Sequence, residues 1–257
     1  MPRKLGQHYL RDEAILERLD VAECEQYTPR VVEIGPGRGA LTRHLLPLTG
    51  ELHAVELDNS LADFLQKKYA SETNLHLYVS DVLITDIAQW GPAVITGNLP
   101  YYITSPIIEK FLALDQRFPV AVFLMQWEVA ERIMALPRTR TYGYLTEATQ
   151  LVCDVELICR VPASAFAPPP KVDSAAVRFS RKADIPSDLH ELLTFVGRCF
   201  RHKRKTLRNN LRAFYGRQVD AFPEANLRAE QLTIPHFIDL HARLSGSYIE
   251  KGPPSVH

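Results

Sequence analysis

The stretch most able to do chemistry is GNLPYYITSP, residues 97–106, which follows the apolar run Ala93-Val94-Ile95-Thr96. A turn alone needs no carboxamide, proline and tyrosine pair, because Gly or Asp with a polar neighbour reverses a chain at lower cost. The residues suit an amine conjugated to an aromatic ring, a poor nucleophile whose lone pair is delocalised. The Asn98 side-chain oxygen, with a backbone carbonyl fixed by Leu99-Pro100, can hold the hydrogens of such an amine and favour a pyramidal nitrogen. Tyr101 can stack on an extruded base and hold it in line with an electrophilic carbon. The plainer alternative is a tyrosine pair packed over a tight turn.

Three other apolar runs end in the same way. Val31-Val32-Glu33-Ile34 leads into Gly35-Pro36-Gly37-Arg38-Gly39 and then an amphipathic stretch. Glycines there let backbone approach a ligand, and a helix N-terminus favours a polar or anionic group. The spacing is GxGxG, unlike the pyrophosphate fingerprint GxGxxG, so a tight structural turn and a nucleotide site both stay open. Glu56 closes the next run about 20 residues on, where an acid accepts hydrogen bonds from a ribose diol. Asp81 closes the third and can accept from the exocyclic amine of an adenine, or serve only its turn.

These residues need a scaffold that brings strand ends together. Runs at 31–34, 52–56, 75–79, 94–96 and 119–125 alternate with helical stretches, which predicts an α/β, Rossmann-like, doubly wound parallel sheet. Asp12 caps a first helix carrying Ile15, Leu16 and Leu19, and Ser105-Pro106 opens the helix after GNLPYY. Cys153–Val161 and Val172–Phe179 read as an antiparallel hairpin closing the sheet, with the stiff loop Phe166 to Lys171 between its strands. Ser180 to Asp188 reads as a linker, and the tail at Gly252-Pro253-Pro254 as disordered. The division is residues 1–182, a larger catalytic-type domain, and 183–257, a small helical one.

Composition narrows the function classes. The 257 residues balance to zero formal charge, but residues 1–182 hold 19 Lys+Arg against 22 Asp+Glu, and 183–257 hold 11 against 8. Between Leu192 and Val219 there is no acid, while Arg201, Arg204, Lys205, Arg208 and Arg212 fall there. On one continuous helix these five gather on one side, with Phe200, Leu207, Leu211 and Phe214 on another, a pattern for gripping a polyanion. No run of about 18 apolar residues occurs, and no signal-like leader, so the expectation is a cytoplasmic protein with no membrane contact. Cys24, Cys153, Cys159 and Cys199 lack metal-ligand spacing and read as reduced thiols, with no metal site. Nothing in the sequence indicates oligomerisation.

GQHYL (6–10), VVEIGPGRGALT (31–42), AVELD (54–58), SDVL (80–83), GNLPYYIT (97–104) and SAFAPPPKVDSA (164–175) together resemble the KsgA-type bacterial ribosomal RNA adenine dimethyltransferases. The likeness runs in order over nearly the whole chain. It implies S-adenosyl-L-methionine as cofactor and dimethylation of N6 on two adjacent adenosines in the 3′-terminal hairpin of 16S rRNA, in a late 30S assembly intermediate. By position it implies cofactor contacts from His8, Leu10, Gly35, Glu56, Asp81 and Asn98, to which the glycine loop adds Gly37. Asn98, Pro100 and Tyr101 surround the target amine, and Phe166 packs on the flipped base, unless Phe166 simply anchors the hairpin. Lys171 joins the basic residues as a substrate contact. His8 departs from the asparagine usual in that family, and Tyr102 from a smaller polar residue. Rival readings are a nicotinamide-dependent oxidoreductase, which leaves GNLPYY without a role, a macrolide-resistance type 23S rRNA methylase, and a catalytically silent assembly or transcription factor.

Overall fold

A computed structural model describes residues 8–23 and 27–246; Cys24 and the tail 252–254 lie outside them. The chain runs β1 (Tyr9–Leu10), α1 (Glu13–Glu23), β2 (Thr28–Ile34), α2 (Thr42–Leu45), β3 (Thr49–Glu56), α3 (Asn59–Lys68), β4 (Leu75–Val79), β5 (Val94–Asn98) and α4 (Thr104–Leu112). It continues through β6 (Val120–Gln126), α5 (Trp127–Ile133), α6 (Tyr144–Val152), β7 (Cys153–Val161), β8 (Phe166–Ala167), β9 (Ser174–Arg181), α7 (Leu189–Cys199), α8 (Leu207–Tyr215) and α9 (Ile234–Leu244).

Seven strands form one sheet in the order β4-β3-β2-β5-β6-β9-β7. The first five are parallel, and β9 enters antiparallel between β6 and β7. The expected Rossmann-like sheet and closing hairpin are both present. Val120–Gln126 shows why β6 is central: VAVFLMQ is apolar almost throughout, as a strand covered on both faces must be. Strand β7, at the edge, instead alternates buried with exposed residues and carries a bulge between Leu157 and Cys159.

The strand order reverses at β2. From there the chain winds outward through β3 and β4, then returns to place β5 on the other side. Loops leaving β2 and β5 therefore part, and a crevice opens at their carboxyl ends. A short second sheet pairs β1 with β8, Tyr9 opposite Ala167 and Leu10 opposite Phe166, which hangs residues 8–10 over that crevice.

Two apolar clusters flank the sheet. Leu10, Ile15, Leu16 and Leu19 pack with Phe166, Val122 and Leu124 on one side. On the other, Leu192, Phe195, Leu207, Leu211, Phe237 and Leu240 share one continuous cluster with Phe111, Phe123 and Phe179; α7 and α9 pack on α6, and α8 packs on α7. Asp12 caps α1 as expected, its Oδ1 accepting from the Ile15 N–H at 3.2 Å.

Three local expectations are corrected. Helix α4 begins at Thr104, with Ile103 at its N-cap and no side-chain cap, so Ser105 does not open it. The turn after Asn98 already winds helically: Ile103 N–H donates to the Pro100 carbonyl at 3.1 Å, and Pro106 stays inside the first turn, where its missing N–H costs nothing. The linker also starts later than Ser180. Arg181 ends β9 with its guanidinium donating to the carbonyls of Phe111 at 2.7 Å and Phe118 at 3.2 Å.

The third correction concerns the basic segment, which is not one helix. Helix α7 stops at Cys199 and α8 starts at Leu207, leaving Arg201, Arg204 and Lys205 on an exposed turn. Asn210, only 2% exposed, makes that turn. Its Nδ2 donates to the Cys199 carbonyl at 2.7 Å and its Oδ1 accepts from the His202 N–H at 3.2 Å. Phe214 is 42% exposed rather than docked, with the Arg198 guanidinium 4.6 Å above its ring.

Candidate active site

The crevice encloses about 1210 Å³ with its open mouth included, and His8, Leu10, Gly35, Gly37, Glu56, Asp81, Asn98, Pro100 and Tyr101 all line it. Gly37 shows why the loop is built of glycine. Its φ is +59°, a region that L side chains rarely adopt, and a Cβ there would lie 3.0 Å from the Tyr9 ring. Tyr9 in turn lies under the Arg38 guanidinium, 5.1 Å from its ring centre. Gly97 serves the opposite wall, since a Cβ on it would meet the Ile34 carbonyl oxygen at 2.4 Å. Close approach of β2 and β5 excludes any side chain there.

Each acid at a strand end is already tied to backbone. Glu56 is buried, and its Oε2 accepts from Gly37 N–H and its Oε1 from Asp58 N–H, both at 3.0 Å. The carboxylate thus holds the glycine loop and keeps lone pairs toward the crevice. Asp81 accepts from Leu83 N–H through Oδ1 at 2.8 Å, so the turn role and the crevice position coexist.

Sequence reasoning missed Glu33. It is buried beside the glycine loop, accepting a 2.7 Å hydrogen bond from Thr42 Oγ1. Burial first, then the neighbouring charge of Glu56, push its carboxyl up to about 8, against the hydrogen bond from Thr42. The available signal was an acid inside the apolar run VVEI.

Asn98 ends β5 with its Nδ2 donating to the His8 carbonyl at 2.9 Å. That contact turns Oδ1 into the open acceptor. The Pro100 carbonyl accepts from Ile103 N–H and from Thr104 Oγ1, both at 3.1 Å, so it is engaged by the turn. The Leu99 carbonyl receives no hydrogen bond among the described residues, while Leu99 N–H donates to Leu124 at 2.9 Å. Of the two backbone carbonyls at Leu99-Pro100, the one left open is therefore that of Leu99, and Pro100 lies in the turn beside it.

The Tyr101 hydroxyl bonds Ser174 Oγ at 2.8 Å, and burial pushes its pKa up. The His8 ring stacks on Tyr101 with centres 5.7 Å apart and planes 24° from parallel.

Other expected contacts lie elsewhere. Phe166 is 3% exposed and packed among Leu10, Leu16 and Leu124 beneath the β1–β8 pair, not on the crevice. Lys171 is exposed on the loop before β9. Arg208 and Arg212 pair with Asp220 at 3.0 and 3.6 Å, so one acid just past the basic segment offsets part of their charge. Arg201, Arg204 and Lys205 are exposed, and Lys203 Nζ donates to the Arg140 carbonyl at 2.7 Å, which joins their turn to the loop before α6. Cys153, Cys159 and Cys199 are free and buried, and burial pushes the Cys153 thiol to about 12.

A glycine cradle, two carboxylates at successive strand ends and paired open acceptors fit a nucleoside cofactor beside an amine substrate. The family model for ribosomal RNA adenine dimethylase matches residues 1–244. The chain belongs to that family. Among its relatives, the ribosomal RNA small subunit methyltransferase A of Picosynechococcus sp. is 39% identical over 95% of this chain and 97% of its own. Its counterpart in Nostoc punctiforme is 40% identical over 98% of each. A dimethyladenosine transferase from Plasmodium falciparum has the same fold, with a TM-score of 0.79 and 28% identity over 93% of this chain and 98% of that one. The 23S rRNA methyltransferase ErmE follows at 0.66 and 28%, over 92% and 99%. This dimethylase is an enzyme, an rRNA adenine dimethyltransferase with S-adenosyl-L-methionine as methyl donor. No helix among the described residues is long and apolar enough to cross a membrane.

Proposed function

We propose that the enzyme dimethylates N6 of two adjacent adenosines in the 3′-terminal hairpin of 16S rRNA, on a late 30S assembly intermediate in the cytoplasm. The observation carrying this reading is the full-length similarity, 39 to 40%, to relatives named for the small subunit. ErmE, named for 23S rRNA, is similar at 28%.

In this reading Gly35, Gly37, His8 and Leu10 enclose the cofactor, Glu56 accepts from its ribose and Asp81 from its adenine amine. When bound, S-adenosyl-L-methionine supplies a methyl carbon made electrophilic by a sulfonium. Asn98 Oδ1 and the Leu99 carbonyl accept the hydrogens of the target amine, which localises its lone pair for attack. Tyr101, fixed by Ser174, supplies an aromatic wall for the extruded base. Arg201, Arg204 and Lys205, which have no ion pair among the described residues, grip rRNA phosphates together with the neighbouring Arg140 loop and Lys171. Residues 183–257 act as the RNA-contacting part and 1–182 as the catalytic part.

Incubation with unmethylated 30S particles and, separately, with 23S rRNA, followed by primer extension, tests the assignment. Stops at two adjacent adenosines near the 16S 3′ end are expected; stops on 23S rRNA alone would favour the macrolide-resistance reading.

A further inference from the structure

We propose that Phe214 is a further substrate contact, a stacking face for one unpaired rRNA nucleobase that lies outside the methyl-transfer crevice. The inference rests on the α7–α8 turn being the rRNA grip, and it adds a base to the phosphates assigned there.

Phe214 stands near the end of α8 and is 42% exposed. An aromatic ring is ordinarily worth most where it is kept from water, yet this one joins neither of the apolar clusters that flank the sheet. Its neighbours are cations instead. The Arg198 guanidinium lies 4.6 Å from the ring centre and that of Arg201 5.7 Å, and neither has an ion pair among the described residues.

The two cations are held differently. Arg198 Nη1 donates to the Tyr215 hydroxyl at 2.9 Å, and its guanidinium also lies 5.6 Å from the Tyr215 ring centre, so it is fixed beside Phe214. Arg201 is exposed, and its side chain makes no hydrogen bond among the described residues. It can therefore leave the ring.

Two guanidiniums beside one ring repel each other unless an anion joins them. Asp220, the first acid after the segment, is taken by Arg208 and Arg212. An RNA strand supplies both missing parts: a phosphate oxygen for Arg198 and Arg201, and a flat base for the ring face that Arg201 vacates. Only an unpaired base fits, because bases in a duplex keep their faces stacked on one another. This base is not the target adenosine, since among the described residues none beyond Leu124 lines the crevice. A stack releases no counterions, so a salt series separates it from the phosphate contacts.

Affinity for unmethylated 30S particles, measured across such a series, tests the proposal. Phe214→Ala should bind roughly 10-fold more weakly at every salt concentration, with the parent's log-log slope, the scale of one lost base–aromatic stack. Phe214→Trp should bind at least as tightly as the parent, and Phe214→Leu no better than Phe214→Ala. Arg201→Gln should instead flatten the slope by roughly 0.7–0.9. Melting temperature and S-adenosylhomocysteine affinity should stay at the parent's values in all four. Parent-like affinity in Phe214→Ala overturns the proposal. So does recovery in Phe214→Leu, which marks an apolar packing contact in place of a stack. Should the parent methylate 23S rRNA alone, the series is read on 23S rRNA: the same loss there upholds the stack and removes only the small-subunit reading, whereas parent-like affinity there overturns the stack itself.

Discussion

The crevice at the ends of β2 to β5 and the turn between α7 and α8 are held in opposite ways. In the crevice, functional atoms are tied before any ligand arrives: Glu56 by two backbone N–H groups, Asn98 by the His8 carbonyl, Tyr101 by Ser174. In the turn the backbone is held through buried Asn210 and Lys203 is tied to the Arg140 carbonyl, while Arg201, Arg204 and Lys205 are exposed to solvent. Methyl transfer rewards orientation, which demands fixed groups. A phosphate backbone is met at many registers, and mobile charges serve it.

The comparison breaks first at Phe166, if that residue belongs to the ligand side. Its burial among Leu10, Leu16 and Leu124 predicts that Phe166→Ala loses about 3–5 kcal/mol of stability. Denaturant unfolding measures this; a parent-like midpoint with weakened RNA binding would return Phe166 to the base pocket.

Next come the fixed acids. Glu56→Ala should lower affinity for S-adenosylhomocysteine roughly 10- to 100-fold, as expected when a hydrogen bond to a charged acceptor worth about 1.5–3 kcal/mol is lost. Asp81→Ala should cost affinity in the same range and add a fall in melting temperature, because Oδ1 also holds the Leu83 turn. Calorimetry showing unchanged affinity for both would dissolve the distinction between tied and free regions.

The smallest effects belong to the turn. Arg204→Glu with Lys205→Glu should weaken binding to 30S particles and flatten its salt dependence by roughly 0.7–0.9 in log-log slope per lost phosphate contact, with cofactor affinity unchanged. Arg208→Glu with Arg212→Glu should change the slope less, since both already face Asp220. Equal slopes in the two double variants would show that pairing with Asp220 does not withdraw those charges from RNA.

The same contrast governs what could be read without coordinates. Strand ends were legible because each lies where an apolar run stops, and parallel winding brings successive ends to one edge. Gly37, Glu56, Asp81 and Asn98 follow from that rule alone. The raised pKa of Glu33 was not legible, because it depends on burial under other segments and on the charge of Glu56 arriving from β3, against the opposing hydrogen bond from Thr42. Nor was the break at residues 200–206, where helical periodicity continues through a turn that a single side chain, Asn210, imposes from the following helix. Phe166 turned inward because β8 pairs with β1, from the far end of the chain. The free carbonyl moved from Pro100 to Leu99 because the turn hydrogen bonds take the former.

The central claim is that chemistry here depends on an acceptor held at Asn98. Single-turnover methyl transfer by Asn98→Ala on unmethylated 30S particles, with S-adenosylhomocysteine affinity measured beside it, tests this most directly. The rate should fall roughly 10²-fold or more while affinity weakens only modestly. A rate close to the parent's would contradict the account and take Asn98 out of the mechanism.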